Sequence, residues 1–175
     1  VKFDTTSKPI AAGMVREFPP ITYAGVVDTS DFIIDSKNAL IRFAANPTRN
    51  AVVTANIDMT GEAWAPIEGY AKTVRGNGYA IKGLTAPLFG TTNASIKGLH
   101  LKDVNISVNG LLHVGALAGI ITATDTISPI VEHCSVSGTI NVNNETLTIP
   151  EGAAENRVNV GGLVGQTQGY IANSY

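Results

Sequence analysis

The chain has 175 residues, 12 basic and 14 acidic side chains and a formal net charge of -2, with 44% hydrophobic and 15% charged residues. Globular domains carry roughly 25% charged residues, so low charge with high hydrophobicity excludes a disordered tail. The near-neutral balance argues against an electrostatic nucleic-acid binder, and a single cysteine, Cys134, excludes an internal disulfide framework. One domain remains, long enough to bury a sizeable core.

The composition points to strands. There are 17 Ile, 16 Val and 18 Thr, with 18 Gly and 14 Asn but only 10 Leu. β-Branched side chains suit a pleated surface, and Gly and Asn turn the corners between short strands.

Residues 1–31 carry Pro9, Pro19 and Pro20 and read as an extended lead-in, with one strand at 21–27. The start at Val1, without Met or a basic-then-apolar leader, reads as a mature or excised segment. A capping-helix region follows at 32–50. Asp35 or Ser36 starts the helix, Ala39, Leu40, Phe43 and Ala44 share one face, and Asn46-Pro47 ends it at about 36–46.

Residues 51–175 read as a repeat domain. Ile81-Lys82-Gly83-Leu84 recurs as Ile96-Lys97-Gly98-Leu99. A glycine-bounded motif recurs three times, as Pro87-Leu88-Phe89-Gly90, Gly115-Ala116-Leu117-Ala118-Gly119 and Gly161-Gly162-Leu163-Val164-Gly165. Strands are predicted after each copy, over 96–101, 131–136 and 171–175, and the middle copy carries an insertion of six residues before its strand. Repeats of this kind predict coils that bury their apolar faces only by stacking. Alignment of the copies puts Cys134 at the core position of Leu99, and makes Lys82, Lys97, Glu132 and Ala172 one outward series. The longest apolar stretch, 111–123, is too short to cross a bilayer.

These residues resemble bacterial surface proteins with the Gly-Leu-Uncharged-Gly (GLUG) repeat. The similarity is carried by 161–165 with 171–175, and by the upstream order of a short helix, Ala55-Asn56-Ile57-Asp58-Met59, Trp64-Ala65-Pro66-Ile67 and Gly76-Asn77-Gly78. It extends over residues 32–175. The resemblance implies an all-β fold, a right-handed parallel β-helix, on an exported or cell-surface bacterial protein, frequently adhesin-like. Asn56 stands where that family commonly has Asp, and Arg75 where an acid is usual, so a carboxylate cation site at that turn is not supported. The family has no shared catalytic residues to carry over.

On such a fold, about 20–25 residues per coil would give five or six coils over 51–175. Gly90, Gly119 and Gly165 would sit at the turns between faces, and the helix would cover the N-terminal end of the core. No equivalent cap is visible after Tyr175, so end-to-end self-association or a longer chain is expected there.

Chemical motifs are sparse. No phosphate-binding loop is present, Gly76-Asn77-Gly78 reads as a turn, and His100, His113 and His133 lack zinc-site spacing, so no cofactor, metal or catalytic residue is assigned. The expected ligand-binding face comprises Lys82, Lys97, His100, Lys102, Asp103 and Glu132. Its only acids, Asp103 and Glu132, align to different columns of the repeat, and a mixed-charge solvated face explains them without catalysis. Trp64, Tyr70 and Tyr79 form either a sugar-stacking platform or packing under the 61–78 excursion. The sequence thus reads as a non-enzymatic module for adhesion, with glycans or extracellular proteins, not nucleic acid, as partners. A polysaccharide lyase or glycoside hydrolase-like β-helix and a structural spacer are the alternatives.

Overall fold

The structure, a computed structural model, describes residues 30–110, 113–143 and 158–175; the strand expected at 21–27 lies outside them. The chain runs β1 (Phe32–Ile34), α1 (Lys37–Ala45), β2 (Ala51–Val53), β3 (Ile57–Asp58), β4 (Thr73–Arg75) and β5 (Ala80–Lys82). It continues with β6 (Phe89–Thr92), β7 (Ser95–Lys97), β8 (His100–Asn109), β9 (His113–Val114) and β10 (Ala118–Ile121). The last elements are β11 (Ile130–Glu132), β12 (Ser135–Asn143), β13 (Asn159–Val160), β14 (Val164–Thr167) and β15 (Tyr170–Ala172).

Every strand pairing is parallel. A six-stranded sheet has the order β1-β2-β4-β7-β11-β15, a four-stranded sheet β3-β5-β8-β12, a three-stranded sheet β6-β10-β14, and β9 pairs with β13. Among the described residues the fold is all-β and β-helix-like, with one helix. From β4 onward the chain visits the six-, four- and three-stranded sheets in turn, so each strand lies beside its counterpart from the previous round. The step between stacked residues is 22 at Tyr70–Thr92, 35 at Ser95–Ile130 and 40 at Cys134–Ser174. Later rounds exceed the expected 20–25 because β8 and β12 are extended to 10 and 9 residues and are followed by excursions before the next sheet. The inserted residues of the middle copy form the loop 122–129, closed by the Ile127 N–H bonded to Thr124 O at 3.3 Å.

Ser36 caps α1, its Oγ accepting from Ala39 N at 3.3 Å, and Asn46 ends the helix. Ala39, Leu40 and Phe43 face the core. Nine residues make a helix too short to persist alone, so its packing holds it. Phe43 lies 5.5 Å from the ring of Phe32 and 5.3 Å, edge to face, from Tyr70, which stacks on Phe89 at 5.5 Å. This aromatic column ties the helix to the interior of the coils. Below it, Ile96, Leu99, Leu101, Val131 and Cys134 are buried, with Cys134 in the column of Leu99.

Two expectations change. The strands predicted over 96–101 and 131–136 are each two strands, broken at Gly98 and His133, whose φ values of 64° and 54° turn the chain from one sheet to the next; Asn173, at 50°, repeats the conformation. Gly90, Gly119 and Gly165 are not corners. They lie inside β6, β10 and β14, and the last two are small because other backbone crosses them. A Cβ on Gly165 would sit 2.6 Å from Val114 N and 2.7 Å from Gly119 O, and one on Gly119 3.0 Å from His113 O.

Candidate functional site

The six expected face residues divide between two sheets. On the six-stranded sheet the outward row is Arg75, Lys97, Glu132, Ala172. Lys82 does not belong to that row. It stands on the four-stranded sheet in register with Asp58 and Lys102.

Charges in the first row are matched. Lys97 Nζ is 2.9 Å from Glu132 Oε2, Arg75 pairs with Asp31, and His133 Nδ1 lies 3.3 Å from Glu132 Oε1. The hydrogen bond from Lys97 holds the Glu132 carboxyl below the usual carboxylate range. A carboxylate so engaged is a structural partner rather than a free base.

The second row is built differently. Alternation in Asn56-Ile57-Asp58 sends Ile57 inward and Asp58 outward. Asp58 accepts a 2.9 Å bond from Thr60 N, and bonding to Thr60 lowers its pKa. Its second oxygen is 3.9 Å from Lys82 Nζ. Asn56 accepts from Ala80 N at 2.9 Å, which gives this position a cross-coil structural task that a carboxamide performs. Past Lys102 the strand bulges: Lys102 and Asp103 oppose Ser137 alone, and Asp103 adopts a φ of 49°. Asn56, Ile57, Asp58, Ala80, Lys82 and Lys102 line a depression of about 290 Å³.

His100 begins β8 just past the corner, with Nδ1 2.8 Å from Ser135 Oγ. Asp103 and Glu132 lie on different sheets and form no common row. The three aromatics form no common surface either. Trp64 is buried with Nε1 donating to Pro87 O at 3.1 Å, Tyr70 is buried in the aromatic column, and only Tyr79 reaches solvent, at 36% exposure. Burial pushes the Tyr70 phenol pKa up. Cys134 is likewise buried, its Sγ 3.4 Å from Glu132 O, and burial raises its pKa.

Asp58 and Ser135 were not singled out by sequence, and Asn56 was noted only as a departure from the family's Asp. The signal for Asp58 was present in the alternation around Ile57, whereas Ser135 meets His100 only through coil stacking. Among the described residues no three His, Cys, Asp or Glu side chains gather to hold a metal ion. No helix there is long and apolar enough to cross a membrane.

No curated protein and no solved structure gives a match to the chain. A family model, the N-terminal region of the M26 IgA1-specific metallo-endopeptidases, matches residues 68–138, which run from just before β4 into β12 and include Arg75, Lys97 and Glu132 of one charged row and Lys82 and Lys102, but not Asp58, of the other.

Proposed function

We propose that this chain is a non-enzymatic β-helical module of an exported or surface-displayed bacterial protein, acting in adhesion by binding glycans or extracellular proteins along its outer faces. The observation that carries this reading is the in-register stacking of outward side chains into rows, Arg75-Lys97-Glu132 and Asp58-Lys82-Lys102. Rungs about 4.8 Å apart give a stiff polar face that meets an extended polymer without ordering itself first. The winding is taken as right-handed, the hand of nearly all parallel crossovers. Five of the six strands of the largest sheet, β2, β4, β7, β11 and β15, fall within 51–175 and favour the lower end of the five-to-six-coil expectation, with Gly-Leu-Uncharged-Gly as the repeat.

The match to an N-terminal region of metallo-endopeptidases supports a module that accompanies an enzyme, and makes immunoglobulin A1 a protein to test. The deciding experiment offers the purified chain to a glycan array and to immobilised extracellular proteins, immunoglobulin A1 included. Saturable binding is expected. Absence of any binding would move the weight to a spacer, and shortening of an incubated polysaccharide would move it to an enzyme.

A further inference from the structure

We infer that the depression between Lys82 and Lys102 is a subsite for the anionic group, carboxylate or sulfate, of an acidic polysaccharide lying across the four-stranded sheet. The inference rests on the binding reading above and names the ligand class of one of its faces.

Lys82 and Lys102 are direct neighbours on parallel strands, both pointing outward. Strands lie about 4.8 Å apart, and like charges directly opposite each other are unfavourable. On the other sheet the same problem is solved by acids, with Arg75 beside Asp31 and Lys97 beside Glu132. Here the compensation is partial. Asp58 sits 3.9 Å from Lys82, at the edge of ion pairing, and one of its oxygens already holds Thr60 N. Lys102 has no acid in pairing distance among the described residues. Two ammonium groups against one engaged carboxylate leave the depression net positive in a chain whose overall charge is -2.

The rest of the lining fits a sugar ring. Ala80 gives an apolar wall, and Asn56, whose Oδ1 is taken by Ala80 N, has its Nδ2 donor left for a hydroxyl. The bulge at Lys102–Asp103 bends the strand beside the site, as bulges at binding sites do. An acidic polysaccharide supplies the missing negative charge, and its length exploits the row of rungs.

The test measures binding of the whole chain to hyaluronan, chondroitin sulfate and neutral dextran, with a polyglutamate peptide alongside. The acidic glycans should bind, more weakly as salt rises, and dextran should not. Lys102→Gln and Lys82→Gln should each weaken binding about tenfold, as loss of a charge-assisted contact does. Arg42→Gln, which removes an exposed charge on α1, should leave it unchanged. Circular dichroism checks that each variant folds. Acidic-glycan binding that survives both lysine changes overturns the subsite while leaving the binding reading intact. Equal binding of dextran, or preference for polyglutamate, also overturns it. Failure of every glycan and protein to bind sinks the subsite and the binding reading together.

Discussion

Replacing Phe43 with alanine tests whether the helix is a lid held by one aromatic contact column. The ring is 2% exposed and touches Phe32 on one side and Tyr70 on the other. Loss of a buried Phe costs about 3–5 kcal/mol through lost transfer energy and a residual cavity. Each aromatic pair adds about 0.5–1.5 kcal/mol beyond area, so the upper half of that range applies. A whole domain has about 5–15 kcal/mol to lose. In a stacked-coil protein, damage at one end spreads through neighbouring rungs only. Phe43→Ala should therefore lower the urea midpoint by an amount equivalent to about 4 kcal/mol. Hydrogen exchange should rise in α1, β1 and β2 while β8 and β12 stay protected. Ile41→Ala, at a side chain 42% exposed on the same helix, should cost less than about 0.5 kcal/mol. A loss under about 1 kcal/mol for Phe43→Ala, or uniform exchange along the chain, would refute the idea of a packed terminal lid.

Other positions make sharper local tests. Gly165→Ala places a methyl 2.6 Å from Val114 N and should cost about 1–3 kcal/mol in urea unfolding, whereas Gly162→Ala, with open space around it, should be near neutral. His133 holds a φ of 54°, so His133→Val should lose about 1–2 kcal/mol while His133→Asn is tolerated; equal losses would show that the corner conformation does not matter. Cys134 should resist a thiol reagent at pH about 8 until denaturant is added, because its sulfur is buried and its pKa raised. Glu132 is held low by Lys97, so its contribution is complete above the unfolded carboxyl value of about 4.3 and fades as pH falls through the lower folded value. The difference in urea midpoint between the native chain and Glu132→Gln should accordingly shrink with acidification below about pH 4.3, and a pH-independent difference would remove the ion pair as its cause.

Local patterns were the most legible part of the sequence. Ser36 as a cap, Ala39, Leu40 and Phe43 on one face, and Asn46 as a stop are written in spacing and side-chain chemistry, and the helix forms there. Inward positions such as Leu99 and Cys134 follow from the aligned copies because a buried column tolerates little else. The glycines were less legible. A Gly between apolar residues looks the same in sequence whether it supplies a positive φ or clears space for crossing backbone, and Gly119 and Gly165 do the second. The chain that crosses them, β9, is two residues long and carries no pattern of its own.

The charged face shows where repeat reading needs a distance rule. Ile81-Lys82-Gly83-Leu84 and its copy at 96–99 share a local task, a short strand followed by a glycine at φ 75° or 64°. Fifteen residues separate them, fewer than the 19 of the shortest return to the same sheet among the described strands, Phe32 to Ala51. Two copies closer than one coil must stand on different faces, however alike they look. The vertical partner of Lys97 is therefore Arg75, one round earlier, and that of Lys82 is Lys102, one round later. Arg75 and Lys97 each meet an acid, and that row is closed by ion pairs. Lys82 has one distant carboxylate and Lys102 has no acid in pairing distance among the described residues, so the copy that looked equivalent is the one left with charge to offer a ligand.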